Sequence, residues 1–191
     1  MSSSFRLWLF RILVLIATIL VVVSWFMPWW TMDVEAISIT NAIVVHPYGF
    51  ENNLGGYAYY LPVEVMPVWF TPLMWVLLGV AILCLLSAFW FQDKKIKVFG
   101  RYFNLSSFLT ICMGISYILV VVAAFIVLNI QTKIFGGEYF ELVGENFISM
   151  GGFEESYCYS RFGFGWWLAC AIGPILIILA LLRNKIIGKN N

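Results

Sequence analysis

Four stretches of the chain are long and apolar enough to cross a lipid bilayer, and this feature limits the fold more than any other. They lie at 7–27, 68–91, 105–130 and 164–182, and a membrane-spanning helix needs about 20 predominantly apolar residues. Only 11% of the 191 residues are charged and 62% are hydrophobic, whereas soluble domains carry about 25% charged residues. The sequence therefore predicts an all-α membrane protein, a four-transmembrane-helix bundle in a single integral membrane domain over 1–191.

The basic residues predict how these helices are oriented. Most of the 11 lie in the N-terminal tail, the 92–104 loop and the C-terminal tail, namely Arg6, Arg11, Lys94, Lys95, Lys97, Arg101, Arg183, Lys185 and Lys189. Cytoplasmic loops of membrane proteins carry an excess of Lys and Arg. Both termini and the 92–104 loop are therefore predicted to be cytoplasmic, and we expect an integral protein of the cell or plasma membrane.

Tryptophans cluster where the apolar stretches begin or end: Trp8, Trp25, Trp29, Trp30, Trp69, Trp90, Trp166 and Trp167. Such rings gain from apolar burial while their N–H group stays hydrated, so they concentrate at membrane–water interfaces. We expect these eight side chains to form membrane-interface belts, with Pro28 helping to end the first helix. Stacking of these rings on a cofactor is the alternative interpretation.

The two predicted outer loops, 28–67 and 131–163, carry strand signals. In the first loop, TMDVEAISIT (31–40) begins with alternating apolar and acidic residues, which predicts a strand. HPYG (46–49) and NNLGG (52–56) are typical of turns, and YAYYLPVEV (57–65) predicts a second strand that ends near Pro62. In the second loop, glycines separate aromatic runs such as EYFELV (138–143) and SYCYSRF (156–162). The pattern predicts a small β-rich extracytoplasmic region formed by both loops.

Small residues recur every four positions on the third and fourth apolar stretches. They are Ser106, Thr110 and Gly114 on the third stretch, and Gly165, Ala169 and Gly173 on the fourth. In lipid, small residues at this spacing let helix backbones approach closely. We therefore expect these six positions to be helix-packing residues, through which the third and fourth helices contact each other or a partner.

The sequence offers little chemistry. The predicted spans contain no Asp, Glu, Lys, Arg or His beyond Arg11, and His46 is the single histidine. Proton-coupled transporters usually need ionisable groups at membrane depth, and catalytic serine or cysteine sites need a base and an orienting group beside the nucleophile. One histidine is weak support for a metal site. His46 is better interpreted as a turn residue than as a metal ligand. We expect no catalytic residue, no cofactor, no metal and no nucleic-acid partner, which favours a non-enzymatic protein over an enzyme.

Candidate partner-contact residues lie in the outer loops: His46, Tyr57, Tyr59, Tyr60 and Cys158. Cys158 is the only cysteine outside the predicted spans. The cysteine is either a free, partly buried thiol or half of an intermolecular disulfide. The first interpretation is favoured, because the other cysteines lie inside spans, where thiols behave as small apolar groups.

The layout resembles the claudin-like tetraspan class. The resemblance lies in the topology of four spans with a large, strand-forming first outer loop, and in the aromatic residues after the first helix, here Pro28-Trp29-Trp30. The claudin signature of a tryptophan followed by a cysteine pair is missing, since residues 28–66 contain no cysteine. The resemblance implies that the outer loops form a small sheet used for contact with other proteins.

The leading functional hypothesis is a non-enzymatic integral membrane subunit or scaffold whose outer loops and helix faces bind partner proteins in a membrane complex. Its expected partners are membrane lipids, other membrane or extracytoplasmic protein subunits, or further copies of the chain. One alternative is a membrane redox subunit or a lipid- or quinone-handling enzyme subunit, with His46 and aromatic rings lining the site. A second alternative is an oligomeric pore or uncoupled transporter.

Overall fold

Four long helices dominate the computed structural model, which describes residues 3–35, 38–55, 68–91, 94–98, 101–136, 140–148 and 156–187. The helices are α1 (Ser3–Phe26), α2 (Phe70–Trp90), α3 (Leu105–Gly136) and α4 (Phe164–Ile187). Each contains a stretch long and apolar enough to cross a membrane: Phe5–Phe26, Phe70–Trp90, Leu105–Ile134 and Phe164–Arg183. The four apolar helices predicted from the sequence are confirmed.

Two of the helices continue past their predicted ends. α3 runs to Gly136 rather than 130, because polar residues such as Gln131 and Lys133 end the apolar run while remaining good helix formers. α4 continues through Arg183 to Ile187. Arg183 is buried, and its guanidinium carbon lies 5.8 Å from the centroid of the Phe10 ring. This charge is therefore accommodated inside the fold.

The described strands are β1 (Trp30–Val34), β2 (Ile39–His46), β3 (Gly49–Asn52), β4 (Lys95–Val98), β5 (Arg101–Asn104), β6 (Gly144–Ile148) and β7 (Ser156–Phe162). Five of them form one antiparallel sheet in the order β3-β2-β1-β7-β6. β1 from the first loop pairs with β7 from the second, from Trp30 opposite Phe162 to Val34 opposite Cys158. The predicted small sheet built from both loops is therefore present. The strand predicted at 57–65 lies outside the described residues.

A bulge bends the pairing of β1 with β2. The register shifts between Met32 and Val34, and Asn41 opposite the shift has a positive φ of 53°. Asparagine tolerates this left-handed conformation better than most residues. The backbone N–H of Asn41 donates to Asp33 Oδ1 at 2.6 Å. The Asp33 side chain of β1 therefore provides a hydrogen-bond partner for this N–H group at the bulge.

β4 and β5 form a separate two-stranded hairpin in the segment that the sequence predicts only as a basic loop. Its ladder pairs Lys95 with Asn104 and Val98 with Arg101. The backbone N–H of Leu105, the first residue of α3, donates to Lys94 O at 2.8 Å. Alternation of lysine with Ile96 and Val98 was the available strand signal.

The chain divides into two compact units, which are described separately below. The helical unit comprises residues 1–23, 76–120 and 168–191, and the sheet unit comprises 24–75 and 121–167. The core of the helical unit includes Phe10, Val14, Leu179 and Ile187, all buried, with Phe89 of α2 packed against them. The single membrane domain expected from the sequence stays a prediction.

The core of the sheet unit lies between the five-stranded sheet and the last turns of α3. Its buried members are Trp30, Met32, Val34, Ala42, Ile43, Leu54, Leu128, Phe140 and Cys158. The indole N–H of Trp30 donates to Leu142 O at 2.7 Å. This hydrogen bond holds the segment that follows α3 against β1.

Candidate partner-binding surface

The sheet unit exposes a group of aromatic rings on β6 and β7. Along β7, alternate residues from Ser156 to Ser160 are buried, whereas Tyr157 and Tyr159 between them are exposed. Successive side chains of a strand point to opposite faces, so the two tyrosines share the exposed face. Phe147 of β6 is 56% exposed, and its ring centroid lies 4.3 Å from that of its cross-strand partner Tyr157. Phe147, Tyr157 and Tyr159 together form what we call the aromatic patch.

The carboxylates of Glu35 and Glu145 lie beside the aromatic patch. The negative charge of Glu35 is the main cause that raises the pKa of the Tyr159 phenol, followed by desolvation and by the negative charge of Glu145. A side-chain hydrogen bond between Tyr159 and Glu35 acts in the same direction. Glu145 is also the cross-strand partner of Tyr159. The tyrosine is therefore neutral at physiological pH and lies in a negative local potential.

Asp33 and Arg161 lie on the neighbouring strands and largely neutralise each other. Arg161 Nη2 is 3.2 Å from Asp33 Oδ2, and the arginine side chain is 64% exposed. Exposed ion pairs of this kind contribute about 0–1 kcal/mol to stability. Because this aspartate is paired, Glu35 and Glu145 carry the negative charge beside the aromatic patch.

Cys158 lies on the other face of β7, inside the sheet-unit core. Its thiol is free and the residue is fully buried. Burial raises the pKa of the Cys158 thiol to about 12, so the reactive thiolate is scarce at neutral pH. In this structure the side chain is therefore placed for packing and does not reach a partner surface.

His46 ends β2 and belongs to a stack of rings at the turn formed by Pro47 and Tyr48. The residue is buried, with its ring parallel to Tyr48 at 5.0 Å and Nε2 at 3.7 Å from Glu51 Oε1. Tyr48 stacks in turn on Trp75 at 5.2 Å. Partial burial and, secondarily, the charge of Glu51 raise the pKa of the Tyr48 phenol.

This environment places His46 at the end of β2, next to the turn that joins β2 and β3. Thr71 Oγ1 of α2 donates to Tyr48 O at 2.8 Å, which ties the turn to the start of that helix. Within the described ranges, no group of three or more His, Cys, Asp or Glu side chains is arranged to hold a metal ion. The other candidate contacts, Tyr57, Tyr59 and Tyr60, lie outside the described residues.

The eight tryptophans expected at the membrane interface fall into two groups. Trp8, Trp69, Trp90 and Trp167 are each more than half exposed, as an interfacial belt requires. The other four are buried inside the protein: Trp25, Trp29, Trp30 and Trp166. Trp29 donates its indole N–H to Ser24 O at 2.9 Å and packs edge-on against Trp166 at 5.6 Å. Packing within the sheet unit encloses these four rings, and the placement of the eight tryptophans at a membrane interface stays a prediction.

Gly114 and Gly173 bring α3 and α4 into backbone contact within the helical unit. A Cβ atom added to Gly114 would lie 2.9 Å from Gly173 O, and one added to Gly173 would lie 3.1 Å from Gly114 O. Thr110 and Ser106, one and two turns earlier on α3, are buried, and Thr110 Oγ1 donates to Ser106 O at 2.8 Å. Whether this contact controls stability or assembly stays a prediction.

Gly165 occupies a different contact from Gly173. A Cβ atom there would lie 2.6 Å from Met27 O, so the start of α4 packs on the chain leaving α1 rather than on α3. Gly165 N donates to Pro28 O at 3.1 Å, and Ser24 Oγ donates to Gly165 O at 3.0 Å. Ala169, the remaining member of that row, is buried.

Phe147 and the residues that support it carry no clear signal in the sequence. Asn146, its neighbour on β6, is buried, and its side-chain amide binds both backbone groups of Glu141. The Glu141 N–H donates to Asn146 Oδ1 at 2.6 Å, and Asn146 Nδ2 donates to Glu141 O at 2.9 Å. Asn146 Nδ2 also donates to Ser160 Oγ at 3.2 Å. A polar–apolar pattern within GENFI (144–148) was too short to predict this strand from the sequence.

Comparison with known proteins finds no matching family model, no matching curated protein and no matching solved structure. The four apolar helices and the small sheet are compatible with a tetraspan-like topology.

Proposed function

We propose that the chain is an integral membrane protein whose four helices span the cell or plasma membrane, with both termini cytoplasmic. The distribution of charge supports this orientation. All described acidic residues belong to the sheet unit: Asp33, Glu35, Glu51, Glu141 and Glu145. Of the described basic residues, only Lys133 and Arg161 belong to that unit. The positive-inside rule assigns the basic helical unit to the cytoplasmic side.

Labelling of intact cells tests this orientation. The exposed positions Tyr159 of β7 and Tyr102 of β5 provide a matched pair for single-cysteine variants, in a background in which the natural cysteines are replaced. A membrane-impermeant maleimide should label the Tyr159→Cys variant in intact cells and the Tyr102→Cys variant only after lysis. The reverse pattern, or equal labelling of both variants before lysis, would refute the proposed orientation.

Within that membrane, the chain acts as a non-enzymatic subunit or scaffold that binds partner proteins through its sheet. The observation that carries this proposal is the aromatic patch, in which Phe147, Tyr157 and Tyr159 are all at least 40% exposed on one sheet face. Aromatic residues are enriched among the side chains that dominate binding energy. An exposed group of rings on one sheet face is a candidate contact surface for another protein.

The charge around the aromatic patch defines the kind of partner. Glu35 and Glu145 lie beside Tyr159, so a partner with basic side chains around an apolar centre is complementary. A symmetric contact between two copies would bring the same carboxylates together, which is unfavourable. The proposed partner is therefore another membrane or extracytoplasmic protein subunit. This is the scaffold role that the resemblance to claudin-like proteins implied, without a junction-forming function.

Affinity purification from native membranes in a mild detergent tests the proposal. The parent should elute with a co-purifying chain at a mass above that of the detergent-bound monomer. Replacing Phe147 and Tyr157 by serine should weaken this association by about 30-fold or more, the equivalent of about 2 kcal/mol at an interface hot spot. A control variant, Tyr102→Ser, removes an aromatic side chain that is 72% exposed in the helical unit and should retain the partner.

Two results would refute the partner proposal. One is a parent protein that purifies from native membranes as a stable monomer with no bound chain. The other is a Phe147→Ser, Tyr157→Ser double variant that retains its partner at parental affinity. Thermal unfolding of each variant shows whether a lost partner reflects a lost contact or an unfolded sheet.

A further inference from the structure

A cleft of about 480 Å³ opens in the sheet unit beside the last turns of α3. One wall is α3 itself, through Phe125, Asn129 and Lys133. The facing wall includes Glu141 and Leu142 from the segment before β6, together with Phe162 at the end of β7. We call this feature the α3 cleft.

The α3 wall changes from apolar to charged along the helix. Phe125, Asn129 and Lys133 are spaced four residues apart, so they lie on one helix face. Eight residues of helix rise about 12 Å, which separates a phenyl ring from an ammonium group. Lys133 also lies one residue before the end of the candidate span Leu105–Ile134. Apolar, amide and ammonium groups therefore follow one another where lipid tails would meet headgroups.

The facing wall is held in place by hydrogen bonds that do not use the Glu141 carboxylate. Asn146 bonds the backbone N–H and C=O of Glu141 at 2.6 and 2.9 Å, and Ser160 Oγ donates to the same carbonyl at 3.2 Å. Trp30 holds the carbonyl of Leu142 at 2.7 Å. The Glu141 side chain itself remains exposed. A wall fixed in advance lowers the entropy cost of binding.

The apolar part of the cleft is aromatic. The Phe125 and Phe162 rings lie 6.4 Å apart, and Phe162 stacks on Trp166 at 4.6 Å with an interplanar angle of 11°. Phe125 is 42% exposed, so its ring is available to a ligand. An acyl chain packed against these rings would bury apolar surface of the chain and of the rings.

From this arrangement we propose that the α3 cleft binds one zwitterionic phospholipid of the phosphatidylethanolamine type. Its phosphate lies beside the Lys133 ammonium and the Asn129 amide, its own ammonium beside the Glu141 carboxylate, and an acyl chain against Phe125 and Phe162. Among the described residues, neither Lys133 nor Glu141 takes part in an ion pair. An anionic lipid would satisfy Lys133 but face Glu141, whereas a zwitterion satisfies both charges.

The inference rests on the proposed membrane integration and is independent of the aromatic patch. Native mass spectrometry of the full-length protein, titrated in detergent with phosphatidylethanolamine or phosphatidylglycerol, measures the preference directly. The parent should prefer phosphatidylethanolamine. Glu141→Gln should reverse or erase that preference, changing the affinity ratio of the two lipids by about tenfold, which is the range of one charge-assisted hydrogen bond. The backbone bonds of Glu141 to Asn146 survive this substitution.

Lys133→Gln should weaken both lipids by about tenfold, whereas Lys185→Gln, which changes an exposed lysine of α4, should not. Soluble phosphoethanolamine should bind far more weakly than the intact lipid, because it lacks the chain that covers the rings. Equal effects of the two lysine substitutions, an unchanged lipid preference in Glu141→Gln, or full affinity for soluble phosphoethanolamine would each overturn the assignment.

A separate arm distinguishes this site from the partner surface. The Phe147→Ser, Tyr157→Ser variant should bind phosphatidylethanolamine like the parent, whereas Lys133→Gln and Glu141→Gln should retain the co-purifying chain. Lipid binding that disappears with the aromatic patch would refute an independent site in the α3 cleft. Retention of the co-purifying chain by the Phe147→Ser, Tyr157→Ser variant would count only against the proposed docking function.

Discussion

A single methyl group added at Gly114 or Gly173 would lie inside the contact between α3 and α4. At Gly114 the added Cβ would be 2.7 Å from Ile177 Cγ1 and 2.9 Å from Gly173 O. At Gly173 it would be 2.5 Å from Ile118 Cγ1 and 3.1 Å from Gly114 O. Ordinary contacts between carbon atoms are about 3.5–4.0 Å. The isoleucine side chains can turn aside, but the two carbonyl oxygens move only if the helix backbones separate.

The size of the effect follows from these overlaps. Overpacking by a methyl group costs about 1–3 kcal/mol, and the better helix propensity of alanine returns about 0.5–1 kcal/mol. Taken at the middle of both ranges, Gly114→Ala and Gly173→Ala should each lose roughly 1 kcal/mol, equivalent to about 2–4 °C in Tm for a chain of this length. Leucine places three further carbons in the same contact, and we expect either leucine variant to lose assembly or most of its stability.

Gly79 provides the matched control. It lies inside α2, and a Cβ atom there would meet nothing within 4 Å. Gly79→Ala should therefore be neutral, or more stable by up to about 1 kcal/mol through helix propensity. Leu119→Ala is a second control on α3, where the side chain is 62% exposed, and it should be much milder than Gly114→Leu. Thermal unfolding of the purified protein in one detergent, with the eluted mass measured in parallel, compares all variants.

The packing argument is wrong if Gly114→Leu and Gly173→Leu both express, assemble and melt like the parent. It is also wrong if Gly79→Ala is destabilised as much as Gly114→Ala, since the loss would then reflect any added side chain. A loss confined to the two contact glycines supports close backbone packing as a source of stability, as expected where lipid provides little hydrophobic drive.

Two further predictions concern the sheet-unit core. In a variant whose only cysteine is Cys158, maleimide labelling should stay slow between about pH 8 and pH 10 and become fast on unfolding, because the pKa of about 12 keeps the native thiol neutral while the unfolded thiol ionises near its ordinary value. For the same reason stability should fall as pH rises above about 9; native labelling at the unfolded rate would contradict both expectations. Trp30→Phe removes the hydrogen bond to Leu142 O and should cost about 1–3 kcal/mol in thermal unfolding, whereas Trp167→Phe, at an exposed ring, should change stability by less than about 0.5 kcal/mol. Equal effects of the two tryptophan substitutions would show that this bond contributes nothing.

The helices were predictable because composition alone decides them. A run of about 20 apolar residues is typical of a membrane-spanning helix and rare in soluble proteins. All four predicted runs are helices in the structure. Their ends were less predictable. Hydropathy marks where apolar residues stop, whereas a helix stops where its backbone hydrogen bonds stop, and α3 and α4 continue through Lys133 and Arg183.

The tryptophans show a limit of a different kind. Their positions at the ends of apolar stretches were visible in the sequence, but the side of the helix facing protein rather than lipid was not. Lipid tails and a protein core are equally apolar, so no hydropathy scale distinguishes them. Trp29 and Trp166 are enclosed because β1 and β7 bring the ends of α1 and α4 together, with Gly163 N donating to Trp29 O at 3.1 Å. Such burial depends on pairing between distant segments.

The alternation in SYCYSRF correctly indicated a strand, but a period of two does not say which face is inside. Hydrophobicity alone would favour burying Tyr157 and Tyr159 and exposing the serines. The structure does the opposite, because Ser160 and Asn146 satisfy the Glu141 carbonyl beneath the sheet, where a tyrosine would leave that network incomplete. Buried polar groups need such partners, so this network fixes the inner face and leaves the two rings outside. The exposure of the two rings is then a consequence of the fold. Covering them would bury apolar surface, which is the physical basis for the proposed partner contact on this face.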